Sequence, residues 1–122
     1  MPEIRVNGGT YEADAPVGRS LADWLRQVDR VPVLSCITLV HRVDGEVTTI
    51  ECLREHPMVD AFVRADALQC GFCTPGQIVS ATALVAGNPK PTPEEVRHAM
   101  AGNLCRCGTY PKIEEAIASW QG

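Results

Sequence analysis

Gln69-Cys70-Gly71-Phe72-Cys73-Thr74-Pro75-Gly76 and Gly102-Asn103-Leu104-Cys105-Arg106-Cys107-Gly108-Thr109-Tyr110 organise the C-terminal half of this chain. The first stretch holds a Cys-x2-Cys pair and the second a Cys-x-Cys pair, with residues 74–104 between them. That interval reads as two helices and a turn. Pro75–Ala86 is followed by Gly87-Asn88-Pro89, a helix-end signal, and Asn88–Pro93 is a Pro-rich loop. Thr92-Pro93-Glu94-Glu95 starts the next helix: Thr as cap, Pro in the first position, Glu95 closing a capping box. It runs to about Met100 and ends at Gly102-Asn103. A helical hairpin of this kind returns both cysteine pairs to one end of a bundle.

Outward from the hairpin, His56–Leu68 reads as a helix on one side and Pro111–Trp120 as a helix on the other, giving four helices. The N-terminal part reads as strands. Glu3–Asn7 alternates polar and apolar residues, Asn7-Gly8-Gly9 is a turn, and Thr10–Ala13 returns as a hairpin partner. Ser20–Gln27 is a short amphipathic helix with Leu21, Trp24, Leu25 and Val28 on one face. Val31–Val40 is rich in β-branched residues, Asp44-Gly45 is a hairpin turn, and Val47–Ile50 a further strand. The expected class is α+β, with a β-rich domain over residues 1–53 and a helical domain over residues 54–122.

Composition narrows the function classes. The net charge is −4, from 11 basic and 15 acidic residues, and no basic run points to nucleic acid. No apolar stretch approaches membrane-spanning length, and the first residues lack the apolar core of a signal peptide. The expectation is a soluble cytoplasmic protein with no nucleic-acid partner and no membrane insertion. Six cysteines is a high count for 122 residues. With no export signal, two tight pairs favour metal binding over disulfides. No carboxylate pair, nucleophile constellation or phosphate loop indicates an active site on this chain.

Four converging thiolates suit zinc or an iron–sulfur cluster, and spacing leaves the two about level, although Cys-x-Cys is less usual for structural zinc. Cys70, Cys73, Cys105 and Cys107 sit at loop-to-helix junctions, where free N–H groups and the positive dipole end favour anionic sulfur. Gly71, Gly76, Gly102 and Gly108 would let N–H groups approach the sulfurs, and Arg106 adds a positive charge.

The flanking residues separate the two readings. The two quoted motifs, the Asn88–Glu95 loop and His56-Pro57 closely resemble the small iron–sulfur subunit of the molybdenum hydroxylases, the xanthine oxidase and carbon monoxide dehydrogenase group. The resemblance implies a plant-ferredoxin-like β-grasp domain followed by a four-helix domain, each normally with one 2Fe–2S cluster. It implies that Cys70, Cys73, Cys105 and Cys107 hold the C-terminal cluster, and that Gln69 lies near the molybdopterin of a large catalytic partner. It allows a flavin (FAD) subunit or a cytochrome as a further partner. The Cys-Arg-Cys-Gly-Thr-Tyr order resembles the isoquinoline and nicotinate dehydrogenase branch.

One departure limits what the resemblance carries over. The family's N-terminal domain has a Cys-x4-Cys-x2-Cys loop and a fourth cysteine further on. Here Ser20–Gln27 runs almost directly into Val28–Cys36; Cys36 fits the fourth place, and the other three ligands are missing. The β-grasp domain is therefore expected to be truncated and without a cluster. The expected role is electron transfer through one 2Fe–2S cluster to a different acceptor. The competing role is a structural or assembly subunit whose metal site steadies a scaffold. Cys52 is expected to be a small core residue, and a Cys36–Cys52 disulfide is conceivable but disfavoured in a reducing compartment. His41, His56 and His98 are assigned surface or packing roles, and Trp24 and Trp120 apolar packing.

Overall fold

The computed structural model describes residues 3–12, 38, 39, 43 and 46–121. It divides into two compact units, Met1–Cys52 and Leu53–Gly122. The expected helix Ser20–Gln27, most of the strand Val31–Val40, the Asp44-Gly45 turn, Trp24, Cys36 and His41 lie outside the described residues.

In the first unit, β1 (Glu3–Val6) and β2 (Gly9–Glu12) form an antiparallel hairpin with Glu3 opposite Glu12 and Val6 opposite Gly9. Asn7 and Gly8 have φ of 48° and 85°, the paired left-handed conformation that a tight hairpin turn demands. Alternation along β1 buries Ile4 and Val6. The third strand, β3 (Glu46–Val47), lies on the other side of β1 and runs parallel to it. Asn7 fastens this edge: its amide donates to Thr49 Oγ1 at 2.7 Å and accepts from the Thr49 N–H at 3.0 Å.

The expected strand Val47–Ile50 is thus only two residues long, and Ile50–Leu53 coil into a 3₁₀ turn. Asn7 meets Thr49 with its side chain, so the sheet ladder ends there and the chain is free to turn. Cys52 rides on the outside of this turn and is exposed, whereas Leu53 is buried. The expectation that Cys52 is a core residue is corrected: a 3₁₀ turn places adjacent residues on different faces, and Leu53 occupies the inner one.

The second unit consists of α1 (Pro57–Arg64), α2 (Thr74–Gly87), α3 (Pro93–Met100) and α4 (Tyr110–Ser119). Each helix packs on two others: α1 on α2 and α4, α3 on α2 and α4. Met58 and Phe62 from α1, Ile78 and Val85 from α2, Val96 from α3, and Ile113 and Ile117 from α4 form the core. Full burial of such a side chain stabilises by roughly 1.5–3 kcal/mol.

Local sequence explains the helix ends. α3 carries the capping box: the Glu95 N–H donates to Thr92 Oγ1 and the Thr92 N–H to Glu95 Oε1. The second Glu95 oxygen accepts from Asn88 Nδ2 at 2.6 Å, tying the end of α2 to the start of α3. α1 stops at Arg64, four residues short of the expected Leu68. Asp66 adopts φ 54°, so that the Ala67 N–H donates to Phe62 O and the Asp66 N–H to Val63 O. That is a Schellman closure with aspartate where glycine is usual.

Candidate metal centre

α2 and α4 each open directly from a cysteine loop. Cys73 is the residue capping α2, and its carbonyl accepts from the Gln77 N–H at 3.0 Å. Thr109 caps α4, and its carbonyl accepts from the Ile113 N–H at 3.0 Å. The backbone around Cys105 is pinned further: its N–H donates to the Tyr110 hydroxyl at 2.7 Å, and its carbonyl accepts from the Gly108 N–H at 3.1 Å.

The fold brings the four predicted thiols into mutual range. Cys70 interacts with Cys107 and Cys105, and Cys73 interacts with Cys105 and Cys70. The hydrogen-bonding relations among them are crosswise: Cys70 with Cys107, and Cys73 with Cys105, one cysteine from each loop. Cys70 is exposed and Cys105 buried, so the array has an outer and an inner side.

One thiol on each side, Cys70 outside and Cys105 inside, is electrically prepared for anionic sulfur. The Phe72 N–H, ahead of the neighbouring Cys107, draws the Cys70 thiol below its ordinary pKa. At Cys105 the Thr109 hydroxyl lies 3.0 Å from Sγ and the Thr109 N–H 3.4 Å. Those two donors, with help from the Cys73 side chain and the Cys107 N–H, bring the Cys105 thiol down to about 7. Burial pushes Cys73 up, reinforced by Cys105 and opposed by a hydrogen bond from Gln77.

The glycine expectation changes in detail. Gly71 and Gly108 have φ of 78° and 72°, and the donors to sulfur are the N–H groups of the residues that follow them, Phe72 and Thr109. Their left-handed backbone turns the next peptide towards the thiol, and other residues adopt that conformation only with strain. Gly76 and Gly102 have ordinary room for a Cβ and no such duty. Arg106 is exposed between its two cysteines, and Gln69 is exposed beside Cys70.

Three contributors escape the sequence reading: Thr109, Tyr110 and Gln77. Thr109 and Tyr110 stand inside the quoted motif, but their hydrogen bonds to Cys105 depend on the turn at Gly108. Gln77 shares one face of α2 with Cys73 and Ser80, and a polar residue four positions after Cys73 was the available signal.

Four thiols fit a thiolate-bound group, and their pairing bears on which one. Two crosswise pairs match a binuclear cluster, which takes four cysteine thiolates over its two irons. Among the described residues no helix is long and apolar enough to cross a membrane.

Similarity to known proteins points the same way. The model of a family described as a [2Fe-2S] binding domain matches residues 49–118. The chain is 48% identical to the nicotine 6-hydroxylase small subunit of Paenarthrobacter nicotinovorans, over 98% of this chain and 88% of that protein. It is 44% identical to the nicotinate dehydrogenase small FeS subunit of Eubacterium barkeri, over 70% of this chain and 58% of that protein. Its fold matches a chain of quinoline 2-oxidoreductase from Pseudomonas putida 86 with a TM-score of 0.86 and 33% identity, covering 96% and 89% of the two chains. The first of these alignments runs over 146 positions against 122 residues here, so at least 24 positions (146 − 122) have no counterpart in this chain.

Proposed function

The chain belongs to the [2Fe-2S] binding domain family, and from that membership we propose that it is the electron-transfer subunit of a molybdenum-hydroxylase-like oxidoreductase. Cys70, Cys73, Cys105 and Cys107 hold one 2Fe–2S cluster. When bound, such a cluster supplies a one-electron couple. The chain itself contributes the holding and the tuning. The loops before α2 and α4 fix the sulfurs, and Phe72, Cys107 and Thr109 donate hydrogen bonds to them. Such donors favour the more negative reduced state.

The observation that carries this reading is the match to a [2Fe-2S] binding domain over residues 49–118, within which Cys70, Cys73, Cys105 and Cys107 interact with one another at two helix starts. The partner is a large molybdopterin subunit that holds the substrate site, with Gln69, exposed here, near its pterin; the small subunit has no active site of its own. Residues 1–53 form a degenerate β-grasp domain without a cluster, because three of the four cysteines such a cluster needs are missing there. Electrons then leave the single cluster for an acceptor docked directly, a flavin subunit or a cytochrome. Free thiols suit the reducing cytoplasm.

Metal analysis of the chain with its co-purifying subunits tests the proposal. About two irons and about two acid-labile sulfides per chain are expected, with a visible spectrum that dithionite bleaches and air restores. A colourless protein with one zinc overturns it, and about four irons per chain overturns the single cluster.

A further inference from the structure

α2 carries a polar stripe that an internal helix has no general need of. Cys73, Gln77 and Ser80 are spaced four and three residues apart and so share one face. Gln77 is 1% exposed and Ser80 5%. Burying an amide beside Ile78 and Ala81 costs free energy unless its groups are partnered, and an apolar side chain there would avoid the cost.

The partners lie on the second cysteine loop. Gln77 Nε2 donates to the Asn103 carbonyl at 3.0 Å. The Asn103 side chain exchanges two hydrogen bonds with Ser80, at 3.2 Å and 3.0 Å. Asn103 is two residues before Cys105. The same Gln77 side chain hydrogen-bonds the Cys73 thiol, which faces Cys105. An amide nitrogen has two hydrogens, enough for one carbonyl and one sulfur. Gln77 is thus joined to both halves of the inner pair: to Cys73 through its sulfur, and to Cys105 through the backbone that leads into it.

We infer that Gln77 is a positioning residue that clamps the two cysteine loops in register and, through its bond to the Cys73 sulfur, raises the reduction potential of the centre. The inference rests on the 2Fe–2S reading given above. The two duties are separable. The strap to Asn103 is shared with Ser80, and loosening it affects how firmly the loops are held. The bond to sulfur belongs to Gln77 alone and stabilises the negative charge added on reduction.

The test uses the complex as purified, in spectroelectrochemical titration and low-temperature electron paramagnetic resonance after dithionite reduction. Gln77→Met keeps the volume and removes both donors. It is expected to retain about two irons per chain and to lower the equilibrium constant for reduction about tenfold, equal to about 59 mV for a one-electron couple, with shifted g-values. Ser80→Ala is expected to leave the midpoint in place. An unmoved midpoint in Gln77→Met, or an equal shift in Ser80→Ala, overturns the inference. Should Gln77→Met fail to load, reduced protein with otherwise native sequence, labelled with side-chain [15N]glutamine in a Gln69→Asn background, decides the matter. A coupled 15N nucleus is expected, and no coupling overturns the role. Iron absent from the native complex would instead sink the cluster reading, so the two failures are distinct.

Discussion

Thr109 places its hydroxyl 3.0 Å from the Cys105 sulfur and its own N–H 3.4 Å from the same atom. A residue that caps α4 thereby also dresses the most buried of the four thiols. Fold and site meet in one side chain, because the turn at Gly108 that starts the helix is also the turn that aims these donors.

Removing the hydroxyl isolates its share. Thr109→Val keeps the β-branched shape and the N–H and loses the O–H. In the metal-free protein the Cys105 titration is expected to move up from about 7, because the largest force depressing it is gone. Site-resolved alkylation followed by mass spectrometry measures it. The Cys105 rate at pH 7 should fall several-fold relative to Cys52 in the same sample. An unchanged ratio would show that the hydroxyl does not act on the sulfur.

His56 supplies a pH dependence with a definite sign. Its Nδ1 accepts the Met58 N–H at 3.0 Å and caps α1, and its ring stacks on Trp120 with centroids 6.1 Å apart. Trp120 also donates from Nε1 to the Pro89 carbonyl at 3.1 Å. Protonation would put a hydrogen where the cap needs a lone pair. Burial holds the His56 pKa below its ordinary 6.5, so the unfolded chain takes up the proton first. Stability from this group is complete above pH 6.5, and it is lost as pH falls through the folded value. His56→Ala should cost about 1 kcal/mol at pH 8, the scale of a lost cap, and flatten the pH dependence of the unfolding midpoint below pH 6.5.

The helical unit was legible where local chemistry acts alone. Thr92 and Glu95 announce their box by type and spacing, and the cysteine spacing with its flanks announces the metal centre. The early stop of α1 was not legible, since Asp66 takes the left-handed conformation with neither Gly nor Pro at the helix end. Nor was the shortening of β3, because Asn7 and Thr49 are 42 residues apart and only the folded sheet brings them together. Gln77 was hidden for the same reason: its meaning depends on Asn103, which the hairpin returns from 26 residues away.

The junction of α2 and α3 should behave as one coupled unit. Glu95 accepts from both the Thr92 N–H and Asn88 Nδ2, while Thr92 Oγ1 accepts from the Glu95 N–H. Thr92→Ala and Glu95→Ala should each cost about 1 kcal/mol in urea unfolding. The double variant should cost less than the sum, since each single change already breaks the reciprocal box. Strict additivity would show that the two bonds act independently.

Two large apolar side chains stand outside the fold in a telling place. Phe72 is 94% exposed and Leu104 80%, and each lies in a cysteine loop, Phe72 beside Cys73 and Leu104 beside Cys105. Neither contributes to the core, so neither is required for the helices to pack. Apolar groups beside the centre fit the face that meets the large subunit, where removal from water would stabilise the complex. Phe72→Asp and Leu104→Asp should each weaken association by about 2 kcal/mol, roughly thirtyfold in Kd, while iron content stays near two per chain. Val63→Asp, at a 65% exposed site on α1 outside the cysteine loops, should bind as the native chain does. Titration of separated subunits measures the three affinities. Equal losses in all three variants would mean that added charge, and not the lost apolar anchor, weakens the complex.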